Sequence, residues 1–121
     1  MSNKRKIPKS AIINRKTIRI TYPETNYIIL KTLERLKWLL VSTKCSPTKE
    51  KCNKVLFTIR KSGSIILIET NIGNNEVITV SFGVLEIGSG ALKYPTTQNR
   101  VIERFWRIFD RVLLSEIREL Q

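Results

Sequence analysis

The chain has 121 residues, with 22 lysines and arginines against 10 acids and no histidine, which gives a formal charge of +12 at pH 7. That length suits one domain of ordinary size, and 41% hydrophobic with 26% charged residues argues for a soluble globular chain and against a disordered one. The lack of histidine removes the usual neutral-pH base and metal ligand, and the longest apolar runs, residues 38–41 and 65–68, are far too short for a membrane-spanning helix.

Residues 1–15, with Lys4, Arg5, Lys6 and Lys9 around Pro8, read as a disordered basic arm. Residues 16–121 read as a single domain. The first twenty residues hold seven cations and no apolar core of a secretory signal, so the expected location is intracellular, in cytoplasm, nucleoid or nucleus. Residues 1–60 carry the entire net charge, while residues 61–121 sum to zero.

Along residues 16–22 the side chains alternate, with Ile18, Ile20 and Tyr22 on one side, which predicts a half-buried strand. Tyr22-Pro23-Glu24-Thr25 then opens a helix, with Pro and Glu suited to its first turn and Thr25 as an alternative cap. Ile29, Leu33, Leu36 and Leu40 recur at helical spacing and predict a helix to about Val41 with these four on its core face. Residues 42–53 read as a polar loop carrying Lys44, Lys49 and Lys51.

Residues 54–60 and 65–70 are predicted strands joined by the turn Lys61-Ser62-Gly63-Ser64, and a second turn at 71–75 leads to a long strand from Glu76 to about Ile87. Three antiparallel strands result, with Thr17, Arg19, Thr21, Thr58, Arg60, Thr79 and Ser81 expected on the uncovered sheet face. Gly88-Ser89-Gly90 lacks the Gly-Lys-Ser/Thr ending of a phosphate loop and reads as a flexible turn. A final helix runs from Arg100 to about Leu120, capped by Asn99. The order β-α-β-β-β-α predicts a two-layer α+β sandwich, an antiparallel sheet covered on one face by two helices.

In the last helix Arg100, Arg104, Arg107, Arg111 and Arg118 fall within about 60° of one another, opposite Phe105, Phe109, Val112, Leu113, Ile117 and Leu120. Such a stripe serves as a solvated face, yet this helix contains no lysine, and a planar guanidinium suits phosphate and carboxylate recognition. On the first helix Tyr27, Lys31, Arg35 and Trp38 span about 80° on the side away from the leucines. Aromatics interleaved with cations suit stacked bases and their phosphates; Trp38 in that place also suits a protein interface or packing under the basic loop.

Cys45 and Cys52 cannot complete a zinc site without further ligands, and neighbouring lysines would lower a thiol pKa, leaving incidental thiols or a loop disulfide. No metal, cofactor or catalytic residue is read. Asp110 is the sole aspartate, and Glu69 and Glu86 belong to no paired set, so the chain is not expected to be an enzyme.

The functional expectation is a small basic protein that binds RNA or single-stranded DNA and no membrane. Lys4, Arg5, Lys6, Lys9, Lys31, Arg35, Lys44, Lys49, Lys51, Arg100, Arg104, Arg107, Arg111 and Arg118 would neutralise phosphates while Tyr27 and Trp38 stack on bases. The alternative is a protein–protein module: an accessory subunit of a ribonucleoprotein or RNA-modifying complex, or a viral factor on an acidic host protein. Trp38 and the arginines would then anchor the interface, and a homodimer would form through a helix or a sheet edge.

Overall fold

The computed structural model describes residues 16–18, 20–61, 63–73, 77–86, 92–93 and 100–120, with side chains except those of 16–18, 86, 92–93 and 117–120. The arm, the glycine turn at 88–90 and the Asn99 cap lie outside these residues. Helix α1 (Tyr22–Leu36) starts where Thr21, in extended backbone, closes a reciprocal capping box. The Thr21 hydroxyl accepts from the Glu24 N–H at 3.2 Å, and the Glu24 carboxylate accepts from the Thr21 N–H at 3.1 Å and from its hydroxyl at 2.7 Å. Thr25, the alternative cap, is buried and donates to the Thr21 carbonyl at 2.9 Å.

The bonds from the Thr21 side chain and backbone hold the Glu24 carboxyl below its ordinary value. A carboxyl lowered by folding adds stability above its unfolded pKa, and that part is lost as pH falls through the lowered value. Loss of the cap bond in Thr21→Ala should cost about 1 kcal/mol at neutral pH, the usual worth of a Thr cap. Urea midpoints of the two proteins should differ at neutral pH, and the gap should narrow in acid without closing, because the bond from the Glu24 N–H to the Thr21 hydroxyl does not titrate.

Helix α1 ends at Leu36, short of the expected Val41. Lys37 adopts a left-handed conformation, φ 61° and ψ 33°, and its N–H reaches the carbonyls of Glu34 and Leu33, while the Trp38 N–H bonds the Leu33 carbonyl at 3.1 Å. This reversal satisfies carbonyls at the helix end. It turns Trp38 inward, onto the ring of Phe105. Leu40 had extended the helical pattern, but it packs against the core from a strand.

The remaining elements are β1 (Lys16–Ile18), β2 (Leu39–Pro47), β3 (Cys52–Lys61), β4 (Ser64–Ile72), β5 (Ile78–Glu86), β6 (Leu92–Lys93) and α2 (Arg100–Leu120). All strand pairs are antiparallel, in the order β1-β5-β4-β3-β2, with β6 also on β5. Strand β2 corrects the expected loop: only residues 48–51 connect it to β3. Tyr22, expected at the end of the first strand, opens α1 instead.

The Tyr22 hydroxyl is buried, 2.9 Å from Thr70 Oγ1 and 3.1 Å from the Thr70 carbonyl, and Thr70 Oγ1 donates to Asn26 Oδ1 at 2.8 Å. Desolvation pushes the Tyr22 phenol above its ordinary pKa. The network ties the start of α1 to β4.

Register places Val55, Phe57 and Ile59 of β3 beside Ile66, Ile68 and Thr70 of β4 and Ile78, Val80 and Phe82 of β5 on one face. These side chains share a core with Ile29 and Leu33 of α1 and Ile102, Phe105 and Phe109 of α2. The fold is α+β, an antiparallel sheet with both helices packed on one face. The other face holds Thr58, Arg60, Thr79 and Ser81 as expected, but Leu56, Ile65, Leu67 and Leu85 stand among them. Thr21 is a helix cap and not part of that face.

Candidate nucleic-acid interface

Burial of Ile102, Phe105, Phe109 and Val112 fixes the rotation of α2 and leaves Arg100, Arg104, Arg107 and Arg111 exposed on its opposite side. At 1.5 Å per residue their Cα atoms are spaced about 6, 4.5 and 6 Å along the axis, a row of about 16 Å. Arg118 continues the row by helical position; its side chain is outside the described set. Leu114, 55% exposed, falls within the stripe, with the exposed Glu103 and Asp110 along one flank.

On α1, Tyr27 is 47% exposed, Lys31 Nζ lies 5.5 Å from the centre of its ring, and Arg35 is exposed. Trp38 is not with them. It is 7% exposed, with its ring centroid 6.2 Å from that of Phe105 and Lys61 Nζ 5.9 Å from the ring centre. Its expected roles as a stacking platform or interface anchor are withdrawn, because the left-handed turn at Lys37 directs the indole into the core. All four phenylalanines and Tyr22 are buried and Trp106 is half-buried, so among the described residues Tyr27 is the exposed aromatic.

A groove of about 440 Å³ runs between the helices, lined by Tyr27, Lys31, Glu34 and Arg35 of α1 and Val112, Ser115 and Glu116 of α2. Trp38, just past the end of α1, meets Phe105, whereas earlier α1 residues face Val112 and Glu116, so the two helices run antiparallel. The sequence reading missed Glu34, Ser115 and Glu116 here, because only the pairing of two helices distant in sequence brings them together.

The hairpin lysines belong elsewhere. Lys44 lies on β2, Lys49 and Lys51 are exposed in the turn, and Lys54 is half-buried on β3. Pairing of Lys44 with Leu56, Ser46 with Lys54 and Leu39 with Arg60 puts Lys44, Lys54 and Arg60 on the sheet face away from the helices. The described cations thus fall on two surfaces, one on the helix layer and one on the opposite side of the sheet. Lys4, Arg5, Lys6 and Lys9 lie outside the described residues.

Cys45 and Cys52 are free thiols, half-buried against the core at the base of the hairpin. Their mutual hydrogen bond, followed by burial, raises the Cys45 pKa and outweighs Lys49, which reverses the expected lysine-lowered thiol. Iodoacetamide should therefore modify Cys45 more slowly than a cysteine in a short peptide near neutral pH. Cys52→Ala should speed that reaction by removing the partner thiol.

Among the described residues no three cysteine, aspartate or glutamate side chains converge as metal ligands, and no helix is long and apolar enough to cross a membrane. No family model, curated protein or solved structure matches the chain.

Proposed function

We propose that the protein binds single-stranded nucleic acid, RNA or DNA, across the outer surface of its helix layer. The observation that carries this is the exposed row Arg100, Arg104, Arg107 and Arg111, held along about 16 Å of one rigid helix. Each guanidinium offers a fork of donors to a phosphate, and burial of the opposite side of α2 keeps the forks aligned. Across the groove, Lys31 and Arg35 add two cations and Tyr27 offers its ring to one base. Glu34 and Glu116 repel phosphates from the groove itself, so the backbone of the strand follows the cations on its two rims.

A duplex hides its base faces, so a contact through Tyr27 favours unpaired strands. No reaction is assigned to the chain, and an intracellular site of action goes with this function. The test is a titration of a labelled single strand against the full chain at several salt concentrations. Six phosphate contacts, from the four arginines with Lys31 and Arg35, predict a slope of log affinity against log salt of about −4. A slope near zero, or no binding at low salt, overturns the proposal.

A further inference from the structure

Strand β2 ends the sheet order and, among the described elements, pairs only with β3. Fully buried side chains of β3 to β5 form the core with both helices, whereas β2 adds only the partly buried Leu40 and Cys45 to it. Leu39, Val41, Ser42, Thr43 and Lys44 are all exposed, although Thr43 lies on the same side as Leu40 and Cys45, which pack against the core. Leu39 at 63% and Val41 at 57% are among the most exposed large apolar side chains described. An edge of this kind presents unpaired N–H and C=O groups, a template for one more strand.

We infer that β2 is a docking edge for an acidic, extended peptide segment of a partner protein, which joins the sheet as an additional strand. Main-chain hydrogen bonds supply attraction in such a complex, and alternate side chains supply selectivity. The selectivity here is cationic at one end and apolar at the other. Lys44 lies within the strand, Lys49 and Lys51 just past its end, and Lys54 on the neighbouring strand, with Glu50 as the acid of the turn. Leu39 and Val41 occupy the opposite end.

An incoming strand that is acidic along the hairpin and apolar beside Leu39 and Val41 matches this order, since opposite charges across strands attract. The irregularity between Leu40 and Ser42 interrupts the ladder at Val41, which confines regular pairing to residues 42–46. Two copies of this chain are the poorer match, because pairing would bring two +12 chains edge to edge. A nucleic acid finds cations here but no exposed aromatic among the described residues, and it cannot continue a backbone ladder.

The probe is a labelled, end-capped nine-residue peptide, alternating glutamate with threonine over its first five residues and valine with threonine over its last four, followed by fluorescence anisotropy with the full chain. Two further versions are N-methylated at alternate residues, one along each edge. Methylation of one edge should weaken binding about tenfold or more by removing main-chain bonds, while the other edge tolerates it. Amide exchange at residues 42–46 should slow with the parent peptide, and Lys44→Glu with Lys49→Glu should weaken binding. Equal binding of all three peptides would show charge attraction alone and overturn the inference. No binding of the parent, a sedimenting dimer of the free chain with protected β2 amides, or displacement of the peptide by an oligonucleotide from a chain lacking the α2 arginines would each overturn it as well.

Discussion

Phe105→Ala should lower stability by about 3–5 kcal/mol, the range for removing a fully enclosed aromatic ring. Phe105 has no exposed surface and stands where three parts of the chain meet. Its ring is 6.2 Å from Trp38 beyond α1, 5.1 Å and edge-on to Phe82 of β5, and 5.2 Å and 6.0 Å from Trp106 and Phe109 of its own helix. Truncation opens a cavity whose walls are rings that cannot collapse into it, and it also removes edge-to-face contacts worth about 0.5–1.5 kcal/mol each. Against a total of about 5–15 kcal/mol for an ordinary domain, the loss is a third or more. Urea unfolding should show a lower midpoint at unchanged slope, with Leu114→Ala as the exposed control that moves it little. A loss below about 1 kcal/mol would show that α2 does not pack through Phe105.

That same junction marks where the sequence could be read and where it could not. The spacing of Phe105, Phe109 and Val112 against the arginines specifies α2 and its orientation, because both sets repeat within one helix. The alternation of Val55, Phe57 and Ile59, and of Ile78, Val80 and Phe82, specifies β3 and β5 in the same local way. The place of Trp38 is not legible, because the stop signal for α1 is a left-handed lysine, not a glycine, and because Leu40 faces the core from a strand at a spacing that imitates the helix. Strand β2 reads as a loop because most of it is exposed and only Leu40 and Cys45 reach the core, on either side of an irregularity at Val41 that breaks the alternation.

The candidate site divides along the same line. The arginine row was legible because a single helix holds it. The groove with Glu34 and Glu116, and the allocation of Lys44, Lys54 and Arg60 to the opposite face, depend on contacts between segments far apart in the chain. Those contacts divide the cations between two sides of the sheet, and they make it possible to ask which one meets the phosphates.

Replacing Arg104, Arg107 and Arg111 together by alanine should answer that question. Three lost phosphate contacts make the slope of log affinity against log salt shallower by about 2, at roughly 0.7 per contact on a single strand. The same relation gives a loss of roughly 500-fold at 50 mM salt and roughly 30-fold at 200 mM. All three side chains are exposed, so the unfolding midpoint should stay within about 0.5 kcal/mol of the parent. Replacement by three lysines keeps the charge and removes the forks, so it should keep the slope while losing part of the affinity. Tyr27→Ala should do the reverse of the alanine variant on one axis, weakening binding by about 1–3 kcal/mol with the slope unchanged, because a stacked ring releases no counterions. If the triple alanine variant keeps both slope and affinity, the phosphates lie on the Lys44 and Lys54 side of the sheet and the helix-layer assignment fails.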